Sequence, residues 1–175
     1  MRLLVFITPK DFKDETLSRL KLFFDKWGVE YKIGSYTSGD CTGYHGAVYK
    51  PEVNLSKVST LDFDGIVLVD GNGIETYKIY EYRPLLDLVM KFNDSRKHII
   101  AVGNAVKVLA KANIVKGKSV AMPDDNEIKR LVLLFHGVPS SENLSIAGKG
   151  SCQADRKRKN RNPLQSRKGA HHAEY

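Results

Sequence analysis

The chain has 175 residues, of which 42% are hydrophobic and 27% charged, a composition typical of one soluble globular domain. It excludes bulk disorder, collagen and a coiled-coil rod. The apolar runs at 3–7 and 131–135 reach five residues, whereas a membrane-spanning helix needs about 20, so we expect no membrane helix. The two cysteines, Cys41 and Cys152, fit a reducing compartment better than a disulfide scaffold, and we therefore expect a cytoplasmic protein.

The net charge of +8 is concentrated at the carboxyl end. Residues 151–175 hold seven Lys or Arg side chains and two acids, which leaves a net charge of only +3 for residues 1–150. Large apolar residues are limited there to Leu164 and Tyr175, so we predict an α/β domain at 1–150 followed by a disordered basic tail. Residues 156–161 carry five charges in six positions, as in arms that bind nucleic acid. A solvated terminus and an altered reading frame are the alternatives.

Strand-like apolar runs alternate with helix-like periodic stretches along the first 150 residues. In chain order the pattern predicts a strand at 3–7, a helix at 12–27, a strand at 29–36, a hairpin within 37–60, a strand at 66–69, a helix at 80–93, a strand at 98–102, a helix at 105–112, a strand at 119–122, a helix at 125–135 and a strand at 143–147. Because parallel strands need crossovers, this alternation predicts a doubly wound α/β fold with a largely parallel sheet and a small hairpin excursion.

The first predicted helix shows how its buried face is inferred. Apolar residues recur in it at spacings of three and four, and Gly28 ends the pattern. We therefore predict that one stripe packs on the sheet, formed by Leu17, Leu20, Phe23, Phe24 and Trp27.

Ligands of open α/β sheets bind beyond the carboxyl ends of the strands. The candidate loops are therefore at 8–14, 70–76, 103–104 and 123–126. The glycine-rich turn at 71–73 follows a strand, but Thr76 stands where a dinucleotide fingerprint has its third glycine, so the turn does not predict a dinucleotide site.

Five segments form an ordered set that points to a family. They are 42–46 (TGYHG, with VNL at 53–55), 62–71 (DFDGIVLVDG), 97–105 (KHIIAVGNA), 107–118 and 143–150. Together they resemble the PfpI-type intracellular protease family of the class I glutamine amidotransferase-like superfamily. The resemblance covers residues 3–150 and implies a flavodoxin-like fold and assembly into homodimers or larger rings.

The segment that resembles the family's nucleophile elbow departs from its pattern. The family has A-[IV]-C-H-G there, and without a gap the cysteine, histidine and glycine fall on Gly103, Asn104 and Ala105. An elbow nucleophile acts through a side chain projected from a tight strand-to-helix turn. Gly103 has no side chain, and Asn104 cannot shuttle protons near neutral pH.

Other family positions depart as well. The activating acid of the family falls on Thr16, with Glu15 one residue away, which is about 100° of rotation on a helix. The oxyanion donors implied by the resemblance are the amides around Asp70 and Gly71, where the Asp70 charge disfavours an oxyanion. The family's hairpin histidine corresponds to His45.

From these departures we expect a degenerate member of the family, a non-catalytic pseudoenzyme that binds a small molecule or serves as a homo-oligomer subunit. The expected ligand-binding residues are Asp70, Gly71, Asn72, Gly103, Asn104 and His45. We expect no cofactor and no metal site. One alternative is a hydrolase, deglycase or glyoxalase that uses the thiol of Cys41 or Cys152 with Glu15 as acid–base partner. The other is nucleic-acid binding through the tail.

Overall fold

The computed structural model describes residues 1–140 and, for the backbone alone, residues 145–147. Within that part of the chain the strands are β1 (Arg2–Phe6), β2 (Lys10–Phe12), β3 (Glu30–Ser35), β4 (Cys41–Gly43), β5 (Val48–Tyr49), β6 (Val53–Asn54), β7 (Gly65–Leu68), β8 (His98–Ala101), β9 (Ser119–Ala121), β10 (Val138–Ser140) and β11 (Ser145–Ala147). The α-helices are α1 (Asp14–Lys26), α2 (Gly73–Thr76), α3 (Arg83–Asp94), α4 (Val106–Lys111) and α5 (Asn126–Leu134). Single 3₁₀ turns lie at Leu55–Lys57, Thr60–Asp62, Ile79–Glu81 and Gly103–Ala105.

A six-stranded sheet in the order β11-β8-β7-β1-β3-β6 organises the fold. Its strands run parallel except β11, which pairs antiparallel with β8. Strand β1 pairs with β3 through Val5 and Ile33, and with β7 through Val5 and Val67. The predicted hairpin is present as β4 and β5, and β2 adds to it in parallel. The doubly wound α/β prediction is therefore confirmed.

Two hydrophobic clusters cover the two faces of this sheet. Leu4 and Phe6 of β1 point into the cluster that includes residues of α3, α4 and α5. Leu3 and Val5 point into the other cluster, which includes residues of α1 and the hairpin. A central strand buried on both faces needs apolar residues at every position, and this explains the uninterrupted run at the start of the chain.

Helix α1 lies where predicted, but the prediction of its buried face is wrong in part. Leu17 and Phe24 are buried, whereas Phe23 is 51% exposed and Trp27 is 70% exposed. The two exposed rings contact each other, with centroids 5.7 Å apart. Successive residues are about 100° apart, so the helix buries a narrower arc than the spacing of its apolar residues predicted.

Strand β9 is present near the predicted position but does not join the central sheet. It pairs in parallel with β10, a strand that the sequence patterns did not predict. Pro139 in the middle of β10 removes a backbone donor and weakens the strand signal.

The predicted basic tail at 151–175, with its nucleic-acid arm, lies outside the described residues. Among the residues that are described, no helix is both long enough and apolar enough to cross a membrane.

Candidate functional site

A cavity of about 510 Å³ opens at the carboxyl ends of the central strands. The loop after β1, the hairpin, and the loops that follow β7, β8 and β9 surround it. Its lining residues are Asp11, Lys13, Glu15, Tyr44, His45, Asp70, Gly71, Asn72, Gly103, Asn104, Pro123, Asp124, Asp125 and Ile128. The six expected ligand-binding residues and Glu15 thus lie around one space. Tyr44 and Ile128 also line it. Tyr44 lies in the segment at 42–46 but is not among the expected site residues, and Ile128 lies outside both the candidate loops and that segment.

The elbow after β8 places Gly103 in a left-handed conformation, with φ of +55°. This conformation favours glycine, because a Cβ atom strains the backbone there. A Cβ built on Gly103 would lie 2.8 Å from Asp70 Cβ and closer still to the Asp70 carboxylate. The Asp70 side chain therefore occupies the space into which an elbow side chain would project.

Asn104 ties the elbow to the loop after β7. The Gly71 amide donates to Asn104 Oδ1 at 3.2 Å, and Asn104 Nδ2 donates to the Gly71 carbonyl at 3.0 Å. One of the amides expected as an oxyanion donor is thus already paired with a side chain. Gly71 itself admits no side chain, since an added Cβ would lie 2.6 Å from Phe12 Cα.

The Asp70 carboxylate is mostly buried and weakly partnered. Its side chain is 13% exposed, and Lys13 Nζ lies 3.7 Å from Oδ2. Oδ1 is buried and has no hydrogen-bond partner among the described residues. A buried acceptor left without a donor costs free energy, on the order of 1–3 kcal/mol.

Asp14, the last residue of the candidate loop at 8–14, holds the hairpin beside the cavity. Its side chain is buried and accepts hydrogen bonds from the amides of His45 at 2.7 Å and Ala47 at 3.0 Å. The turn of this hairpin carries Tyr44 and His45, which line the cavity and whose ring centroids are 5.0 Å apart. An acid in the first turn of a helix is commonly explained by the helix dipole, so its tertiary role gave no separate sequence signal.

Glu15, the next residue of α1, lines the cavity, whereas Thr16 is not among the lining residues. An acidic side chain therefore lies at the cavity one position before Thr16, the residue on which the family's activating acid falls.

Cys41 lies in β4 and is fully buried in the cluster that covers the α1 face of the sheet. Burial raises the pKa of its thiol, and the charge of Asp40 adds to that effect, while the neighbouring Ser35 side chain opposes it. The thiol does not line the cavity and is disfavoured as a thiolate. Cys152 lies outside the described residues.

A buried lysine joins the helices α2, α4 and α5. Lys107 Nζ lies 2.8 Å from Glu75 Oε1 and 3.0 Å from Glu127 Oε2, and its side chain is only 4% exposed. Burial acts to lower the pKa of Lys107, but the hydrogen bonds and charges of the two glutamates together raise it above its ordinary value.

The amino end of α5 lines the cavity. Asp125 Oδ1 accepts from the amides of Glu127 at 2.7 Å and Ile128 at 3.1 Å, and these backbone hydrogen bonds lower the pKa of Asp125. In the described part of the chain, no group of three or more His, Cys, Asp or Glu side chains is arranged to hold a metal ion.

Comparison with protein families gives a match to the model of the DJ-1/PfpI family over residues 1–126. An uncharacterised protein of Methanocaldococcus jannaschii is 33% identical over 121 residues, which are 69% of this chain and 58% of that protein. The deglycase PfpI of Pyrococcus furiosus is 24% identical over 115 residues, which are 66% of this chain and 68% of the deglycase. The chain thus spans less than two thirds of the length of the Methanocaldococcus protein.

Solved structures agree on the fold. A ThiJ/PfpI domain protein of Brachyspira murdochii superposes with a TM-score of 0.77 at 24% identity, over 84% of this chain and 83% of that one. Drosophila melanogaster DJ-1beta superposes with a TM-score of 0.68 at 19% identity, over 84% of this chain and 80% of that one.

Proposed function

Because the chain belongs to the DJ-1/PfpI family, we propose that it is a non-catalytic, cytoplasmic member whose strand-end cavity binds a small molecule. The observation that carries this proposal is the elbow itself. Gly103 has the left-handed backbone of a strand-to-helix elbow, and the Asp70 carboxylate fills the space where a nucleophilic side chain would stand. The low cysteine content supports the cytoplasmic assignment.

The surroundings of the elbow also argue against covalent catalysis at this point. An oxyanion intermediate is stabilised by free donors aimed at the developing charge. Here the Gly71 amide is paired with Asn104, and the Asp70 carboxylate brings negative charge to the same place. The cavity has a volume of about 510 Å³ and a polar lining, which suit the binding of a small molecule without turnover.

A relocated thiol is the enzymatic alternative. Cys41 supports it poorly, because the side chain is fully buried and its thiol pKa is raised. A nucleophilic thiol needs a lowered pKa and access to the substrate.

Turnover measurements test the proposal. Purified full-length protein and a Cys41→Ala/Cys152→Ser variant are assayed with methylglyoxal and with a fluorogenic peptide, after thermal melts show that both are folded. We expect no turnover above buffer by either protein. Turnover by the parent would refute the proposal, and its loss in the variant would assign the reaction to a thiol.

A second candidate function is that of a homo-oligomer subunit, and the surface of α1 favours it. Leu22 and Trp27 are each 70% exposed, and Phe23 is 51% exposed. Exposed apolar clusters commonly mark contact surfaces between proteins. We propose that a second copy of the chain covers this surface. Light scattering after size exclusion should give a mass above 19.6 kDa for the parent and a lower mass for Phe23→Ser/Trp27→Ser; a monomeric parent would refute the assignment.

A further inference from the structure

The Asp70 carboxylate has unused capacity to accept a hydrogen bond inside the cavity. Oδ1 is buried and has no partner among the described residues, and Oδ2 has only Lys13 Nζ at 3.7 Å, beyond hydrogen-bond distance. The Lys13 side chain is 52% exposed, so it is free to move away from the carboxylate. An ionised carboxylate accepts several hydrogen bonds, and a buried one without donors is unfavourable.

Most of the other charged residues in the lining are acidic, like Asp70. Besides Asp70, four further lining residues carry carboxylates, against a single lysine: Asp11, Glu15, Asp124 and Asp125. In a concave site, charges of one sign add and raise the local concentration of the opposite ion. One backbone donor that would favour an anion, the Gly71 amide, is already paired with Asn104.

We propose that the cavity selects a small cationic molecule, whose ammonium, amidinium or guanidinium N–H group donates to the Asp70 carboxylate at Oδ2, the oxygen that Lys13 faces. The inference rests on the proposed ligand-binding function and names the chemistry of the ligand. A cation supplies a hydrogen-bond donor to a carboxylate that has none among the described residues, and its charge offsets the acidic lining. A volume of about 510 Å³ holds a small organic cation and is within the range of ligand pockets.

Lys13 has a distinct role in this arrangement. It lies at the cavity and is the lysine that faces Asp70, so it competes with a bound cation for the same carboxylate. Removing the Lys13 charge should therefore strengthen cation binding, whereas removing the Asp70 charge should weaken it. The two charged groups are 3.7 Å apart, and their removal is expected to change the affinity for a cation in opposite directions. A general loss of structure would weaken binding in both variants.

Three probes of nearly equal shape separate charge from size: benzamidine is cationic, benzamide neutral and benzoate anionic. Their dissociation constants are measured by titration followed with NMR at neutral pH and low ionic strength. The proteins are the full-length parent, Asp70→Asn, Lys13→Met and the control Asp87→Asn, which removes an acid on α3 that is not part of the cavity lining. Thermal melts check the fold of each variant.

For the parent we expect benzamidine to bind at least about tenfold more tightly than benzamide, the scale of a charge-assisted hydrogen bond, and benzoate to bind more weakly than both. Asp70→Asn should lose most of this preference, Lys13→Met should increase it, and Asp87→Asn should leave it unchanged. A preference for benzoate, no binding of any probe, or an unchanged preference in Asp70→Asn would overturn the inference. If Asp70→Asn does not fold, weaker benzamidine binding by Lys13→Met overturns it instead. Turnover of methylglyoxal would refute the proposed function alone, without altering the charge preference.

Discussion

The overlap between Gly103 and the Asp70 side chain can be measured as a free energy of unfolding. Gly103→Ala adds a Cβ that would lie 2.8 Å from Asp70 Cβ and 2.9 Å from its carboxyl carbon. Two costs follow: about 1–2 kcal/mol for a side chain in the left-handed region, and about 1–3 kcal/mol for the overlap in a packed site. We therefore expect Gly103→Ala to destabilise the protein by roughly 2–5 kcal/mol.

A second glycine separates these two costs. Gly28 has φ of +62°, close to that of Gly103, and a Cβ added there meets nothing within 4 Å. Gly28→Ala should therefore cost only the backbone share, about 1–2 kcal/mol. The excess cost of Gly103→Ala over Gly28→Ala then measures the overlap.

Urea unfolding followed by circular dichroism measures all the variants, with Asp70→Ala and the double variant Gly103→Ala/Asp70→Ala completing a thermodynamic cycle. The double variant should recover the overlap, which gives a coupling energy of about 1–3 kcal/mol, or roughly 2–12 °C in Tm for a chain of this size. Equal costs for Gly103→Ala and Gly28→Ala, or no recovery on removing the Asp70 side chain, would show that the Asp70 side chain does not occupy the space beside Gly103.

Three further predictions concern the supports of the cavity. Asn104→Ala removes both hydrogen bonds to Gly71 and should cost about 1–3 kcal/mol in urea unfolding; a cost near zero would contradict the assigned role. Asp14→Ala removes the charged acceptor of the His45 and Ala47 amides and should cost about 2–4 kcal/mol, while the control Asp25→Ala on the same helix changes little; equal costs would contradict it. Lys107→Met removes the buried ammonium group that pairs with Glu75 and Glu127. It should cost roughly 1–3 kcal/mol, because the two glutamates are partly exposed and water screens their charges. The pKa of Lys107 is raised in the folded state, so this stabilisation is fully present below 10.5, its ordinary pKa, and the difference between parent and variant should shrink as pH rises through the higher folded value; a difference that grows with pH would refute it.

The order of strands and helices could be read from the sequence because it depends on local patterns. Leu3, Val5 and Ile7 face one side of the sheet, and Leu4 and Phe6 face the other, so the run shows directly that the strand is covered twice. The strand-end loops could also be located, since parallel strands carry their ligand loops at one edge. Where tertiary packing selects among apolar residues, as for Phe23 on α1, periodicity was insufficient.

The α/β class, the family resemblance and the glycine at the elbow can therefore be read from the amino-acid sequence. The surroundings of that glycine depend on tertiary contacts. Asp70 lies beside Gly103, and Asn104 pairs with Gly71; the two residues of each contact are 33 positions apart in the chain. Both contacts depend on the register of β7 against β8. Local propensity carries no information on such contacts, because they exist only once the sheet brings the strand ends together.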